Sequence, residues 1–339
     1  MKENYYITKT KVIYTAIKLL LILIVITFFA ASIGAFSPNI IEFWKKIFSN
    51  DEICMKILLQ LRLPRILLAI ISGGGLALSG LCLQLLLQNP LAEPYTLGIS
   101  GGATVGAAIA SLIAFNYLII SIPIQTLLAL IGSFSIILFL YLFIKNLTYQ
   151  FSYSLLMLGI ILNAICSALI LLLFSIFSSS QLFAAIHWMM GNIPSISPTE
   201  IIIIYILTIF FFLLAYKEAN SINALLLGEE NAEALGIKVV SLRNKLFFIA
   251  GFITAIIVSY SGMIGFIGLI TPHLCKMLWG TDNRILIPAS FLTGGIILLI
   301  SDTFARTILM PKEIPVGVIT ALIGGPYFIY LLIKQRKFL

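Results

Sequence analysis

The sequence is poor in charge. Only 10% of its 339 residues are Asp, Glu, Lys or Arg, whereas 60% are hydrophobic. A soluble domain carries about 25% charged residues, so this chain has too few to cover a water-exposed surface of its size. The scarcity excludes a water-soluble globular protein and indicates that lipid is the solvent.

The few charges are also unbalanced, with 21 Lys and Arg against 13 Asp and Glu. A net charge of +8 is compatible with nucleic-acid binding, but that function needs a clustered basic stripe. Here the basic residues are scattered at the ends of apolar segments, which is typical of residues that set membrane topology. A lipid bilayer is therefore the expected partner, and nucleic acid is not.

Groups that perform chemistry are scarce as well. Four cysteines lie far apart with no C-x-x-C pair, and the two histidines have no ligand spacing, which favours inert buried thiols and no metal site. No G-x-x-x-x-G-K-[ST], G-x-S-x-G or H-E-x-x-H pattern occurs. We expect no enzyme activity and no cofactor, so any ATP hydrolysis that drives this protein resides on another chain.

Long apolar runs, in contrast, are abundant. A helix needs about 20 mostly apolar residues to cross a bilayer. The first run is too long for the apolar core of a signal peptide, roughly 7–15 residues, and is interpreted as an uncleaved span. The chain is predicted to be an all-α, polytopic membrane protein forming one domain over residues 1–339, with the first span and an outer loop in 1–60. The predicted spans are Tyr14–Phe36, Pro64–Leu87, Thr96–Phe115, Ile124–Ile144, Ser154–Phe177, Glu200–Tyr216, Leu246–Ile264, Ile267–Leu278, Leu286–Leu309 and Val316–Ile333.

The Lys and Arg residues predict the orientation of these spans. With the N-terminus in the cytoplasm, 14 basic residues lie inside and 7 outside, which is the expected asymmetry, and the C-terminus is then also cytoplasmic. Arg62, Arg65 and Arg306 lie at outer helix ends despite this rule. They are either snorkelling anchors or a basic docking patch on the outer face.

Small residues cluster in the second and third spans, including Gly73, Gly74 and Gly75 and the small-xxx-small pair Gly102 and Gly106. Lipid gives helices no hydrophobic reason to associate, so close backbone contact at small residues must hold them together. Tight packing is the favoured interpretation, and the lining of a substrate path is the alternative.

Asp302 lies within the ninth span, where a carboxylate is costly and usually faces a partner. Arg306 follows four residues later on the same helix face. A structural ion pair is favoured over a proton site.

Two stretches interrupt the apolar pattern. In LQNPLAEPYTLGISGGATVGA, Leu87–Ala107, Pro90 and Pro94 end a helix and disfavour another until past the second proline. The second stretch, Gly262–Asp282, begins with glycines at every third position. Irregular backbone at membrane depth is tolerated only against protein or water, so this stretch is not expected to be a regular lipid-facing helix throughout.

The longest polar cytoplasmic segment is 217–245, centred on LLLGEENAEALGIKV. Glutamates following Gly228, beginning with Glu229, favour a helix N-terminus, and Gly236 is placed to end the helix. A solvated loop has no need of such a helix, which indicates docking to a cytoplasmic partner.

A series of motifs runs from Leu61 almost to the end of the chain. They are LRLPRILLAIISGGGLALSG (Leu61–Gly80), QNPLAEPYTLGISGGA (Gln88–Ala103), MLGIILNAICSAL (Met157–Leu169), HWMMGN (His187–Asn192), LLGEENAEALGI (Leu226–Ile237), GMIGFIGLITPHLCKMLWGTDNR (Gly262–Arg284), and SDTFAR with EIPVGVITALIGGPYFIYLL (Ser301–Leu332). In this order they resemble the FecCD-type permeases of bacterial ABC importers for iron-siderophores, haem and cobalamin. The first 60 residues carry little of the resemblance.

The resemblance implies a type II ABC importer permease fold of about ten transmembrane helices in the bacterial inner membrane. It implies a homodimer, or a pair with a paralogous permease, with one cytoplasmic ATP-binding subunit on each permease and a substrate-binding protein on the outer face. The translocation path would run along the dimer axis between the fifth and tenth helices.

The resemblance also assigns roles to individual residues. The docking positions for the binding protein map to Arg62, Arg65 and Arg306. The cytoplasmic gate maps to Asn89, Leu91, Ser152 and Tyr153. The coupling positions that would contact the ATPase map to Leu226, Gly228, Glu229, Ala232, Leu235 and Gly236.

Three other functions compete with this one. An ion-coupled secondary transporter needs coupling-ion ligands near the midplane, for which only Asp302 is available. An intramembrane enzyme needs a nucleophile–base or metal constellation, which the sequence does not present. A purely structural subunit does not account for both the cytoplasmic helix and the outer arginines.

Overall fold

The computed structural model describes residues 9–34, 40–49, 51–113, 118–119, 122–145 and 151–335. Lys2, Arg336 and Lys337, which entered the charge count, lie outside these residues, as do Phe36 and Phe115 at the ends of two predicted spans.

The described residues are mostly helical. The helices are α1 Lys9–Ser32, α2 Ile40–Phe48, α3 Glu52–Lys56, α4 Leu63–Leu86, α5 Ile99–Ile113, α6 Ile124–Ile144, α7 Phe151–Ile176, α8 Ser179–Met189, α9 Pro198–Lys217, α10 Ala219–Leu225, α11 Glu229–Ala234, α12 Val239–Ser261, α13 Ile267–Trp279, α14 Asn283–Thr307 and α15 Val316–Gln335. The strands of the described residues are an antiparallel two-residue pair, β1 Leu118–Ile119 and β2 Ile122–Pro123, with Leu118 opposite Pro123.

Each of the ten predicted spans corresponds to one helix, namely α1, α4, α5, α6, α7, α9, α12, α13, α14 or α15. Seven helical stretches of the described chain are long and apolar enough to cross a membrane unaided. The longest, Glu52–Leu86, has 35 residues because a π-helical segment, Ile57–Arg62, joins α3 directly to α4. The all-α polytopic fold predicted from the sequence is confirmed.

The α4 helix is the centre of the bundle. Within its most apolar stretch 89% of residues are buried, against 17% in α1 and 28% in α6, α7 and α9. The small residues of α4 permit this burial, since Gly73 lies against the backbone of Gly294 in α14, and Gly80 lies against that of Gly268 in α13. The peripheral helices leave many apolar side chains exposed, as helices surrounded by lipid do.

Several predicted boundaries are wrong for local reasons. The third span begins at Ile99 rather than Thr96, because Pro94–Leu97 forms a 3₁₀ turn and Gly98 adopts a left-handed φ of 78°. The seventh ends at Ser261 rather than Ile264, where Gly262 has a φ of 66°.

The sequence interpretation missed short helices as well, among them α2, α3, α8 and α10, since none is long enough to resemble a span. The four cysteines are free and buried, as expected.

Candidate functional site

A cluster of charged side chains closes one end of the bundle. Asp302 in α14 is fully buried and accepts hydrogen bonds from Arg65 of α4, with Nη2 2.9 Å and Nε 3.0 Å from Oδ1. Arg306 Nε lies 3.1 Å from Oδ2, an ion-pair contact without hydrogen-bond alignment. Arg65 Nη1 also donates to Glu313 at 2.7 Å. The predicted Asp302–Arg306 pair is confirmed, and it extends into a network that ties α4 to α14.

The other arginine of this end, Arg62, is buried separately. Its guanidinium lies over the ring of Phe43, 4.2 Å from the ring centroid, and Nη1 donates to the carbonyl of Ala31. Arg306 Nη2 approaches the neighbouring carbonyl of Ala30 at 3.5 Å. The last carbonyls of a helix have no partner within that helix, so Arg62 and Arg306 satisfy the end of α1.

The three predicted docking arginines therefore differ in access. Arg62 and Arg306 are buried, while the side chain of Arg65 is 13% exposed beside the more exposed Glu313. Among the three, Arg65 offers the most surface to a partner.

At the other end of α4, Asn89 holds a tight turn. Its Oδ1 accepts a hydrogen bond from the Leu91 N–H at 2.9 Å, an Asx turn of the kind that fixes a short loop. Gln88 adopts a left-handed φ of 49°, and the Leu91 side chain is 46% exposed. The turn thus presents an apolar side chain on a constrained backbone.

Beyond this turn the chain folds back into the bundle. The carbonyl of Tyr95, in the 3₁₀ turn Pro94–Leu97, accepts a hydrogen bond from Asn163 Nδ2 at 2.7 Å. Asn163 lies well inside α7, about 18 Å from Phe151 at 1.5 Å per residue. Residues 88–98 thus form a re-entrant segment that reaches the interior before α5 begins.

A second break faces the re-entrant segment. Between α12 and α13, Gly262 and Phe266 have left-handed φ values of 66° and 69°, and Pro94 packs against Gly268 in the first turn of α13. Gln84 of α4 donates to the carbonyl of Gly268 at 3.3 Å. The irregular backbone predicted here is confirmed, and it packs against α4 and the re-entrant segment at Gly268.

The start of α7 lies beside the turn. Ser152 Oγ donates to the carbonyl of Leu86 at 3.4 Å, so it contacts the last turn of α4 directly. Tyr153 is 61% exposed. The structure therefore brings the Ser152 position to the Asn89–Leu91 turn and leaves two apolar side chains, Leu91 and Tyr153, on the outside of the chain.

The predicted coupling helix is present as α11, Glu229–Ala234. Its N-cap residue is Gly228, with a φ of 105°. It ends in a Schellman arrangement, in which the Gly236 N–H bonds to Glu233 and the Ile237 N–H bonds to Ala232. Ala232 is buried and anchors the helix.

Apolar residues are also exposed around α11. Leu226 is 50% exposed and Leu235 is 66% exposed. We call residues 225–237, which include α11 and these leucines, the coupling segment. Its exposed leucines are the kind of surface that another protein covers.

The coupling segment is tied to both neighbouring regions. Glu229 pairs with Arg243 of α12, and the Arg243 guanidinium lies 5.2 Å from the ring centroid of Phe151, the first residue of α7. Phe151 directly precedes Ser152, which contacts α4. A continuous series of contacts thus runs from α11 through α12 and α7 to Leu86, at the end of α4 that leads into the Asn89–Leu91 turn.

The preceding helix, α10, is anchored to the start of α14. Asn223 Nδ2 donates to Asp282 at 3.0 Å, and the Asn283 N–H donates to Asn223 Oδ1 at 2.9 Å. Hydrogen bonds from the Arg284 side chain hold the pKa of Asp282 below its ordinary value. Asp282 therefore stays ionised at neutral pH and keeps its bond to α10.

Sequence interpretation missed some of these residues. Arg243 and Asn223 belong to no recognisable motif, and their roles depend on partners that only the fold brings near. Glu93, in the re-entrant segment, has one buried carboxylate oxygen without a hydrogen-bond partner, although its proline neighbours indicated only a loop. Among the described residues no group of three His, Cys, Asp or Glu side chains is arranged to hold a metal ion.

Comparison with known proteins gives this arrangement a context. The model of the FecCD transport family matches residues 21–334. The hemin transport system permease protein HmuU of Yersinia pestis is 35% identical over 324 residues, covering 94% of this chain and 95% of HmuU. The vitamin B12 import system permease protein BtuC of Salmonella newport is 37% identical over 281 residues, covering 82% of this chain and 84% of BtuC.

Other relatives extend the comparison. The molybdate import system permease protein MolB of Haemophilus influenzae is 31% identical over 326 residues, covering 94% of this chain and 95% of MolB. A solved inward-facing ABC transporter, assigned to the metal-chelate type, superposes with a TM-score of 0.83 at 31% identity and covers 94% of this chain and 98% of its own. The chain belongs to the FecCD transport family, and it is a permease of the ABC importer type.

Proposed function

We propose that this chain is one of two permease copies that import a metal chelate through the bacterial inner membrane. An iron-siderophore is the first candidate, with haem and cobalamin as related ones. Separate cytoplasmic ATP-binding subunits supply the energy, and an extracytoplasmic binding protein delivers the cargo. The observation that carries the proposal is the series of contacts from α11 through Arg243, Phe151 and Ser152 to Leu86, at the end of α4 that leads into the Asn89–Leu91 turn.

In this proposal the end of the bundle that carries α10 and α11 is cytoplasmic, as the Lys and Arg distribution favours. The exposed leucines of the coupling segment rest on the ATPase. When the ATPase pair closes, α11 moves and displaces α12 and the start of α7 as packed units, which is how rigid helices transmit a switch.

The cytoplasmic gate would lie at the dimer axis. Leu91 and Tyr153, both exposed in the single chain, would meet their counterparts from the second copy. A ring of apolar side chains closes a pore by excluding water, and the Asn89 turn fixes where Leu91 points.

The nature of the cargo is supported by the relatives' names. HmuU is named for hemin and BtuC for vitamin B12, both metal chelates, whereas MolB is named for molybdate. Two of these three relatives, and the structural neighbour's metal-chelate assignment, favour a chelate over an oxyanion.

An ion-coupled secondary transporter is the alternative. Such a protein needs an acid free to bind the coupling ion near the midplane. Asp302, the acid that the sequence offers for this role, is occupied by two arginines at one end of the bundle. This pairing favours an energy source outside the chain.

Uptake into vesicles tests both the energy source and the coupling segment. We expect ATP-dependent uptake of a ferric siderophore, haem or cobalamin with the ATPase and binding protein present, and none without the ATPase. The double variant Leu226→Asp/Leu235→Asp should lower both uptake and co-purification of the ATPase by about tenfold, since losing 1.4 kcal/mol of binding has that effect.

The matched control is Leu309→Asp, an exposed leucine at the opposite end, which should retain ATPase binding. Uptake that persists at full rate without the ATPase would establish the secondary transporter instead. Full co-purification of the ATPase with the double variant would remove the coupling segment from the proposal.

If the Asn89–Leu91 turn is part of the gate, a variant with a less constrained turn should let cargo escape. Asn89→Ala removes the acceptor for the Leu91 N–H, and one such hydrogen bond contributes about 1 kcal/mol. We expect roughly fivefold faster ATP-independent escape of preloaded cargo from proteoliposomes. Asn89→Asp keeps the acceptor and should remain tight, so equal leaks from the two variants would contradict this role.

Docking of the binding protein is proposed at Arg65, with Arg62 and Arg306 adding positive charge beneath it. Because Glu313 competes for the Arg65 guanidinium, Glu313→Gln should increase stimulation of ATP hydrolysis by the binding protein, while Arg65→Gln should reduce it. Lys312→Gln removes a neighbouring exposed charge and should change little. If all three variants respond alike, docking depends on net charge and not on Arg65.

A further inference from the structure

A groove between α9 and α12 combines basic and apolar walls. It opens beside the coupling segment and has a volume of about 770 Å³. Lys217, Lys238 and Lys245 line the end nearest the helix termini, whereas Phe211, Phe248 and Ile249 line the part that runs along the two helices.

The basic end of the groove has unused capacity for an anion. Lys245 pairs with Glu218, but the side chains of Lys217 and Lys238 make no ion pair or hydrogen bond in the described part of the chain. Three lysines and one glutamate leave a net charge of +2. Neither Lys217 nor Lys238 contributes to the contacts between α11 and the gate.

The start of α12 adds to this preference. The helix begins at Val239, and its N-cap residue, Lys238, makes no side-chain capping bond. The first backbone N–H groups of a helix are unsatisfied within it and carry the positive end of its dipole. Val240 and Ser241 in this first turn line the groove, so their end of the helix favours a phosphate.

The apolar wall identifies what the anion is attached to. Phe211 precedes Lys217 by about 9 Å along α9, and its ring stacks on Phe252 with centroids 5.5 Å apart. Phe248 continues the same surface, 5.9 Å from Phe252. A free phosphate would leave this apolar wall uncovered, and the surface of a folded protein is too broad to enter the groove between the two helices. An acyl chain is apolar and narrow enough to lie along the wall.

We propose that this groove binds an anionic phospholipid of the cytoplasmic leaflet, with its headgroup phosphate at Lys217, Lys238 and the start of α12 and an acyl chain along Phe211 and Phe248. Basic pockets between membrane helices on the cytoplasmic side bind such headgroups. The bound lipid lies at both ends of the stretch that contains α10 and the coupling segment, since Glu218 precedes α10 and Lys238 follows Ile237. The assignment to the cytoplasmic leaflet depends on the orientation in the proposed function, whereas the preference for an anionic phospholipid does not.

Native mass spectrometry of the full chain in detergent tests the site. The probes are palmitoyl-oleoyl phosphatidylglycerol and phosphatidylcholine, which differ only in headgroup, and glycerol phosphate, which lacks acyl chains. We expect about tenfold tighter binding of phosphatidylglycerol than of phosphatidylcholine, given two net charges at the headgroup, and no competition from glycerol phosphate.

Each variant should change the preference for phosphatidylglycerol over phosphatidylcholine in a stated direction. Lys217→Gln/Lys238→Gln/Lys245→Gln should bring the ratio of the two affinities close to one. Glu218→Gln frees Lys245 and should raise the ratio above that of the unaltered protein. The matched control, Lys45→Gln/Lys46→Gln/Lys56→Gln, removes three exposed lysines at the opposite end and should keep the preference.

Three outcomes would overturn the proposal. The first is an unchanged preference in the groove variant, and the second is an equal loss in the control. The third is displacement of the lipid by glycerol phosphate, which would make the site one for a free anion. Because this assay needs neither cargo nor ATPase, its failure would leave the proposed import function untouched.

Discussion

Asp302→Asn should destabilise the protein by about 3 kcal/mol or more, since removing one member of a buried ion pair typically costs 3–5 kcal/mol. The Asp302 carboxylate is fully buried and balances Arg65 and Arg306 at once. An amide of the same shape leaves Arg306 without its counter-charge in a low-dielectric site, and leaves Arg65 with only the half-exposed Glu313. The cost arises from this lost charge compensation more than from the lost hydrogen bonds.

The measurement is the thermal unfolding midpoint of the purified chain in detergent, together with its yield from membranes. Glu313→Gln is the matched control, because it makes the same chemical change in the other acid bound to Arg65. Glu313 is 52% exposed, and pairs of that kind contribute between zero and about 1 kcal/mol. Equal midpoints for the two variants would show that Asp302 is not the electrostatic centre of this end.

The spans could be predicted from the sequence because a helix that crosses lipid must be apolar along its length. A run of about 20 apolar residues has few alternatives in a chain this hydrophobic, and each of the ten runs became a helix. The boundaries were less predictable, because single left-handed residues set them. The left-handed Gly98 precedes the first residue of α5, and Gly262 ends α12. The hydrophobicity of a sequence window does not distinguish such glycines from those that allow close helix packing.

The candidate site was predictable where its signal is local. Gly228, Glu229 and Gly236 lie within nine residues of each other and delimit α11 by backbone conformation and dipole alone. The Asp302–Arg306 pair was predictable for the same reason, since four residues make one helical turn.

Partners that are distant in sequence were not predictable. Arg65 and Asp302 are 237 residues apart, and no periodicity relates them. Arg62 satisfies the Ala31 carbonyl at the end of α1, so its burial depends on where α1 ends. The sequence identified these arginines as exceptions to a topology rule, but only the fold shows how much of each side chain is exposed to a partner.

The second large effect is expected where α4 crosses α14. Gly73 and Gly294 face each other there, and a Cβ on either glycine would overlap the backbone oxygen of the other. A backbone atom cannot rotate aside as a side chain can. Gly73→Val should therefore push the two helices apart, and overpacking of this kind costs typically 1–3 kcal/mol.

The consequence should reach beyond the crossing itself, because the same two helices hold the charge cluster. If α14 moves away from α4, Asp302 also moves away from Arg65, so the packing and electrostatic losses add. We expect a lower unfolding midpoint for Gly73→Val than for Asp302→Asn. The double variant should lose less stability than the sum of the losses of the two single variants, because effects that act on the same contact between α4 and α14 are not independent.

The control for this prediction is Gly265→Ala, a glycine with ordinary backbone conformation and no heavy atom within 4 Å of the added Cβ, which should unfold at the normal temperature. Strict additivity of Gly73→Val and Asp302→Asn would contradict the coupling. The small residues of α4 would then serve only close packing, and the arginine network would be stable without them. If the two losses overlap as expected, glycine at this crossing is what allows a buried carboxylate to meet an arginine on another helix.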